Sequence, residues 1–350
     1  MILETRTVRL RLAEPLRISR SVTAARDAVV LTVRQDGLNG SGEVVSSEFL
    51  GLPTASILHQ AAGLRPALAR AAGPEEALEQ LGAGAFGGLS PGVLAAVEAA
   101  LLDLVGKRAG LPLHTLLGEP VAPAAATART IGITGPVRAA AQAARLAAAG
   151  FTVLKIKAGS ADPTEDLARV EAVRVGAPGV RLLLDPNGAW TADTARALLP
   201  RFAEVGVEAV EQPIAAGDPD TLADLAQGSP VPVIADEDAV SHRDAVRLAG
   251  RVHGVNVKLA KCGGVSAALR ICEDLRGSGT EVMLGCLTAS SLGIAPAVHL
   301  VDLARWVDLD GHLLLAHDPW HGIGGQDGTV RAPEGPGLGV RPVPEPGEAA

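Results

Sequence analysis

At 350 residues the chain is long for one ordinary domain and natural for a barrel with an accessory domain. Hydrophobic content of 47% and a mean hydropathy of +0.26 supply a large core, which, with aromatics at 2% and no Tyr, must be mostly Ala, Val, Leu and Ile. A net charge of −8 with a pI near 5.5 excludes a phosphate-binding surface for nucleic acid, and no apolar run is long enough to span a membrane.

In chain order, the first fifty or so residues alternate in β fashion, with strands at Thr7–Leu12 and Ala28–Val33 and a turn signal, Asp36-Gly37, before Ser41–Val45. The N-terminus has no charged-then-apolar leader, so no secretory signal is expected. From about residue 54 the pattern turns helical, and Ser90-Pro91 starts an Ala/Leu helix that runs through Lys107 and stops at Gly110. Residues 1–120 are therefore expected to form an α+β domain.

After Pro120 short β-branched runs alternate with helix-sized segments, at 127–133, 152–157, 180–185, 207–211, 231–235, 254–258, 280–284 and 305–309. Eight β-then-α units over residues 121–310 predict a closed parallel barrel in place of an open doubly wound sheet. Residues 311–350 are rich in Gly and Pro and are expected to pack back on the first domain, with the last ten disordered. Cys262, Cys272 and Cys286 are odd in number and unspaced for zinc, and read as reduced core residues of a cytoplasmic protein.

Only five of the 31 basic residues are lysines, and four of these sit in two β-like runs: Lys155 and Lys157, then Lys258 and Lys261. A lysine kept where arginine is the habit points to chemistry arginine cannot do, since a buried lysine can lose its proton and act as a base. The remaining strands end in acids: Asp185 followed by Pro186-Asn187, Glu211 followed by Gln212-Pro213, and Asp236 followed by Glu237. Polar residues at the carboxyl ends of successive strands are where a barrel carries its active site. Asp185, Glu211 and Asp236 are hard oxygen ligands, which suits Mg²⁺, one ion per subunit. Strands two and six are four apart in a ring of eight, so Lys157 and Lys258 face each other across the mouth. One can remove a proton from a bound carbon and the other return it on the opposite face. Lys155 shares a face with Lys157 and is placed to lower its neighbour's pKa and to neutralise a substrate carboxylate.

The Lys-x-Lys run, the Asp-x-Asn turn, Glu-Gln-Pro, Ala-Asp-Glu and the Lys-Leu-x-Lys-x-Gly-Gly run resemble the enolase superfamily, in its muconate-lactonising subgroup. The stretch Ala95 to Gly118 resembles that family's link from capping domain to barrel, so the likeness covers nearly the whole chain. It implies an N-terminal α+β capping domain on a (β/α)₇β TIM-like barrel, Mg²⁺ on the three carboxylates, and Lys157 and Lys258 as acid/base pair, with Asn187 and Glu237 beside the metal ligands. The eighth strand ends Trp306-Val307-Asp308-Leu309-Asp310-Gly311, and Asp308 with Asp310 resembles the pair by which dipeptide epimerases hold the substrate's α-ammonium. The stretch Pro15 to Thr23 resembles the family's specificity loop, where Arg20 would meet an acidic substrate side chain or stand free in solvent. One departure is Ala289, which stands where many relatives carry glutamate. The resemblance implies an isomerase, a Mg²⁺-dependent dipeptide epimerase working through a metal-stabilised enediolate. Its alternatives are an N-acylamino acid racemase, an o-succinylbenzoate synthase or a muconate-type cycloisomerase on the same centre. The partner implied is a small dipeptide; homo-oligomers occur in the family, although no patch in this sequence shows one.

Overall fold

The computed structural model describes residues 1–344. Strands β1 (Ile2–Ile18), β2 (Ser21–Gln35) and β3 (Leu38–Val45) form an antiparallel sheet in that order. Asp36 and Gly37 between β2 and β3 both have positive φ, 51° and 78°, the pairing that matches the right-handed twist of a tight hairpin. The first hairpin is longer than the two β runs in the sequence suggest. Its register shifts between Arg11 and Leu16, and this irregularity takes up Pro15, which cannot donate to a ladder. The stretch Pro15 to Thr23, expected as a loop, is therefore a paired hairpin tip that turns at Ser19 and Arg20.

Helices α1 (Thr54–Arg70), α2 (Pro74–Gly82) and α3 (Pro91–Ala109) follow. Val29, Leu31, Val33 and Val44 of the sheet share one core with Ile57, Leu64 and Leu68 of α1 and Val97, Leu101 and Leu104 of α3. Close approach of β3 to α3 depends on Gly40 and Gly42, because a Cβ at either would run into backbone of Ala100 or Ala96. Gly110 closes α3 in the left-handed conformation, φ 70°.

A short helix α4 (Leu113–Leu116) and strand β4 (Ala124–Ala126) lead into the second part of the chain. There β5 (Arg129–Ile131), α5 (Pro136–Ala148), β6 (Val153–Lys157), α6 (Pro163–Gly176), β7 (Arg181–Asp185) and α7 (Ala192–Glu204) alternate. Next come β8 (Val207–Glu211), α8 (Pro219–Gln227), β9 (Val233–Ala235) and α9 (His242–Leu248). The series ends with β10 (Gly254–Lys258), α10 (Leu259–Cys262), α11 (Val265–Leu275), β11 (Glu281–Gly285), α12 (Ser291–Val298) and β12 (Trp306–Asp308).

Strands β5 to β12 lie in chain order in one parallel eight-stranded sheet, which is the (β/α)₇β TIM-like arrangement. The seam between β5 and β12 is drawn together by few bonds. Ala128 N–H donates to the Val307 carbonyl (2.8 Å), Leu309 N–H to Thr127 Oγ1 (2.9 Å) and Thr130 N–H to Asp310 Oδ2 (2.7 Å). Inside the ring, Ala128, Val153, Leu183, Ala209, Ile234, Met283 and Trp306 form a separate apolar layer. Gly254 makes room for the Trp306 ring, since a Cβ there would come within 2.7 Å of it.

Beyond the barrel, β13 (Trp320–His321) pairs with β15 (Arg341–Pro342), and β14 (Thr329–Arg331) pairs antiparallel with β4. Leu113 N–H donates to the Gly337 carbonyl and Leu338 N–H to Asp103 Oδ1 of α3, both at 2.8 Å. Of the last ten residues, expected as disordered, Arg341 and Pro342 are held in a strand because Trp320 and His321 offer them a paired edge. Residues 345–350 lie outside the described residues. No helix among the described residues is long and apolar enough to cross a membrane.

Candidate active site

The ring's inward positions turn from apolar to charged two residues further along the strands. Lys155, 2% exposed, sets its Nζ 2.5 Å from Glu211 Oε2, 2.7 Å from Asp308 Oδ2 and 3.0 Å from Asp185 Oδ2. Lys157, the next inward position on β6, donates to Asp185 Oδ2 at 2.5 Å. Across the mouth on β10, Lys258 donates to Asp236 Oδ2 at 2.7 Å and lies 3.8 Å from Glu211 Oε1. Lys261, from α10, donates to the Asp236 carbonyl at 2.7 Å and pairs with its carboxylate. The structure thus brings together Lys155, Lys157, Lys258, Asp185, Glu211, Asp236 and Asp308, seven of the side chains singled out from the sequence. Lys261 joins them unforeseen in role, although its place among only five lysines was a signal.

Lys155, Lys258, Asp185, Glu211 and Asp236 are buried, and the titration of these five follows from burial and from their partners. Burial pushes the Asp185 carboxyl up, but Lys155 and Lys157 together overcome it and hold the group below its ordinary value. Asp236 is likewise raised by burial and then brought well below its ordinary value by Lys258 and Lys261. Burial pulls Lys155 down, yet Asp185, Asp308 and Glu211 outweigh it and keep the ammonium charged well past the usual lysine range. Lys258 follows the same pattern through Asp236 and Glu211. Glu211 goes the other way: burial and then the neighbouring Asp185 and Asp236 push it up to about 7.

Among the described residues no three His, Cys, Asp or Glu side chains converge as a ready metal cage, because lysine ammoniums stand between the carboxylates. The donor set nevertheless suits a hard divalent cation. Three carboxylates from adjacent strands crowd one buried volume, and the repulsion that lifts Glu211 is what a divalent charge there would relieve.

The turns after the strands are strained into place. Asn187 and Gln212 both have positive φ, 50° and 36°, conformations that non-glycine residues hold only where surroundings impose them. Asn187 N–H donates to Asp185 Oδ1 at 2.9 Å. Gln212, fully buried, donates to Asp238 Oδ2 (2.8 Å) and accepts from the Asp236 N–H (3.0 Å), stapling the end of β8 to the end of β9. Asn256, one inward position below Lys258, donates to Glu211 Oε1 at 2.8 Å. Behind β6, buried Arg169 donates to the Lys157 carbonyl at 3.2 Å and pairs with Asp166, whose carboxylate accepts from the Gly159 N–H.

Arg20 leaves the hairpin tip and reaches the mouth. It pairs with Glu237 at 2.8 Å, donates to the Asn187 carbonyl at 2.9 Å, and lies over the Phe49 ring 5.4 Å from its centroid. Arg20 stays open to solvent but is not vacant: a buried carboxylate already holds it. Glu237 itself is raised by burial and by Asp236 and Asp185 beside it.

Asp308 and Asp310 part company. Asp308 Oδ2 accepts from Lys155 Nζ, and its Oδ1 is buried without a partner. Asp310 lies past the end of β12, with φ −93° and ψ 6°, so strand alternation no longer applies to it. Its carboxylate accepts from Thr130 N–H (2.7 Å), Thr130 Oγ1 (3.3 Å) and Arg129 (3.1 Å). Arg129 was not foreseen; nothing local in the sequence marks it.

Comparison with known proteins gives the same outline. Residues 2–118 match the mandelate racemase / muconate lactonizing enzyme N-terminal domain and residues 138–345 match the enolase C-terminal domain-like family. A hydrophobic dipeptide epimerase of Roseobacter litoralis is 35% identical over 97% of this chain and 98% of its own. The crystal structure of a dipeptide epimerase from Enterococcus faecalis, complexed with Mg and L-Leu-L-Tyr, superposes with a TM-score of 0.91 at 30% identity, covering 97% of this chain and 98% of that one. An N-succinyl Arg/Lys racemase from Bacillus cereus reaches the same TM-score at 25% identity, over 97% and 95% of the two chains.

Proposed function

The chain belongs to the enolase superfamily, in its mandelate racemase/muconate lactonizing branch, and is an isomerase of amino acid derivatives; from that membership we propose that it is a Mg²⁺-dependent dipeptide epimerase. Lys157 and Lys258, on strands four apart, exchange the α-proton of the dipeptide's C-terminal residue: one removes it and the other returns it on the opposite face. A positioned base supplies only about 10²–10⁴-fold, too little for a proton beside a carboxylate. Mg²⁺ held by Asp185, Glu211 and Asp236 would supply the Lewis acidity that lets the substrate carboxylate accept the developing enediolate charge. Lys155, kept charged by three carboxylates, adds a fixed cation under the same carboxylate. Asn187 and Glu237 hold the turns beside the metal ligands.

The observation that carries the substrate class is Asp308 Oδ1, a buried acceptor with no donor, on the carboxylate whose other oxygen accepts from Lys155. A free α-ammonium supplies the donor, and an N-acyl group supplies no charge. Asp310, held by Arg129 and Thr130, has its charge already matched and leaves the ammonium to Asp308. An acidic side chain on the substrate would have to draw Arg20 away from Glu237. The test is a dipeptide library in D₂O with Mg²⁺, followed by mass spectrometry for one-dalton exchange, with Lys157→Ala, Asp308→Asn and a chelator as controls. Exchange in a defined set of dipeptides, lost in all three controls, is expected. The likeness to the N-succinyl Arg/Lys racemase supports the second reading, and exchange with N-succinyl amino acids but no dipeptide would establish it instead.

A further inference from the structure

The capping sheet grips the barrel at a point the chemistry above does not use. Glu43, on β3, is buried, and its carboxylate crosses to the turn after β11: Ser290 N–H donates to Oε1 (2.8 Å) and Ser290 Oγ to Oε2 (2.5 Å). The fit is tight, because a Cβ at Gly293 would lie 2.8 Å from Glu43 Oε1 and 3.1 Å from the Ala289 methyl. The far side of the same turn presses on the chain just past β12: a Cβ at Gly311, three residues beyond Asp308, would lie 3.1 Å from Cys286 Sγ and 3.2 Å from the Ala289 nitrogen. Gly285, where the turn begins, is in register with both Lys258 and Asp308. The turn 286–290 is therefore clamped between a carboxylate of the capping sheet and the strand end that carries Asp308. Asp318 holds the next residue, accepting from Ser291 N–H (3.1 Å) and Oγ (2.6 Å), so the turn has no slack at its helix side.

We propose that Glu43 is a positioning residue: through the turn 286–290 it sets Asp308 and so governs how well the site holds the substrate's ammonium. It touches no substrate. This inference rests on the dipeptide reading for its kinetic consequence, and on the geometry alone for its mechanical one. Both are measured in one set of variants, Glu43→Ala and Glu43→Gln. Glu43→Ala is expected to raise KM for a dipeptide about tenfold with kcat changed less than about threefold, and Glu43→Gln, whose amide oxygen still accepts from Ser290 N–H and whose amide N–H can donate to Ser290 Oγ, to restore KM. In hydrogen-exchange mass spectrometry Glu43→Ala is expected to speed exchange about tenfold in segments 286–290 and 308–311 and to leave β7 unchanged. A mere strut would lower thermal stability without moving KM, and that result overturns the proposal, as does faster exchange confined to β3. Should Glu43→Ala fail to fold, Ser290→Ala removes one donor and is expected to show the same pattern at smaller size. If the wild type exchanges no dipeptide, the functional reading has failed and the segment-resolved hydrogen exchange alone decides whether Glu43 holds Asp308's strand end.

Discussion

Two layers of one barrel interior, separated by two residues on most strands, are built on opposite principles. Val153, Leu183, Ala209, Ile234 and Trp306 fill the lower layer; Lys155, Asp185, Glu211, Asp236 and Asp308 stand two positions above them on the same strands. Burial is alike in both, yet the lower layer removes apolar surface from water and the upper one removes charges from it. Each ammonium and carboxylate above is tolerated only because its partners are fixed, and such buried pairs commonly stabilise less than apolar residues of the same volume. The lower layer explains why the barrel stands. The upper layer makes sense only as an apparatus.

The contrast can be broken hardest at a lysine. Lys258→Ala is expected to cut α-proton exchange by about 10²–10⁴-fold. Met283→Leu in the apolar layer is expected to cost less than about 1.5 kcal/mol and to leave exchange intact. Loss of exchange in the Met283 variant with unchanged stability would show that the layers are not separable. Next, Lys155→Met strips three carboxylates of their shared cation, and is expected to lower unfolding free energy at neutral pH by about 3–5 kcal/mol, read from urea midpoints. An unchanged midpoint would mean that the carboxylates do not depend on it.

A third buried charge lies outside both layers. Glu43 is buried like Asp185 but has hydroxyl and amide partners in place of ammoniums, so burial, with Asp318 near it, pushes it up to about 7 while Asp185 is held down. The folded protein keeps that proton to about pH 7, whereas the unfolded chain releases it near 4.5, so folding stability falls as pH rises through that window. Glu43→Gln has no such proton. Its stability relative to wild type is expected to grow by on the order of 2–3 kcal/mol between pH 4.5 and 7.5, and a difference that stays flat would show that Glu43 is ionised throughout.

The barrel was legible because strand-end acids and lysines recur once per βα unit, and register along a strand converts that spacing into a shared face. Lys155, Lys157, Asp185, Glu211, Asp236, Lys258 and Asp308 all lie where that rule puts them. The rule ends with the strand, which is why Asp310 faces Arg129 and Thr130. Contacts that cross from one part of the chain to another left no local trace. Glu43 meets Ser290 at a separation of 247 residues, and Arg20 finds Glu237 and the Asn187 carbonyl from a hairpin tip. The pairing of β4 with β14 has no sequence signature, because three alanines carry no strand signal.

The seam that joins β5 to β12 also orders events during synthesis. Thr127 and Leu309 are 182 residues apart, and loop closure of that length becomes favourable only when the whole intervening chain is already in place. A chain growing from its N-terminus has made the capping sheet and seven barrel strands before Asp308 and Asp310 exist. Until they arrive, Lys155 lacks one of its three carboxylates, Thr130 lacks its acceptor, and β5 and β11 stand as open edges. The nascent protein is open to pairing with its neighbours at that point, and the residues that give Lys155 its third carboxylate and Thr130 its acceptor are the ones that end the exposure.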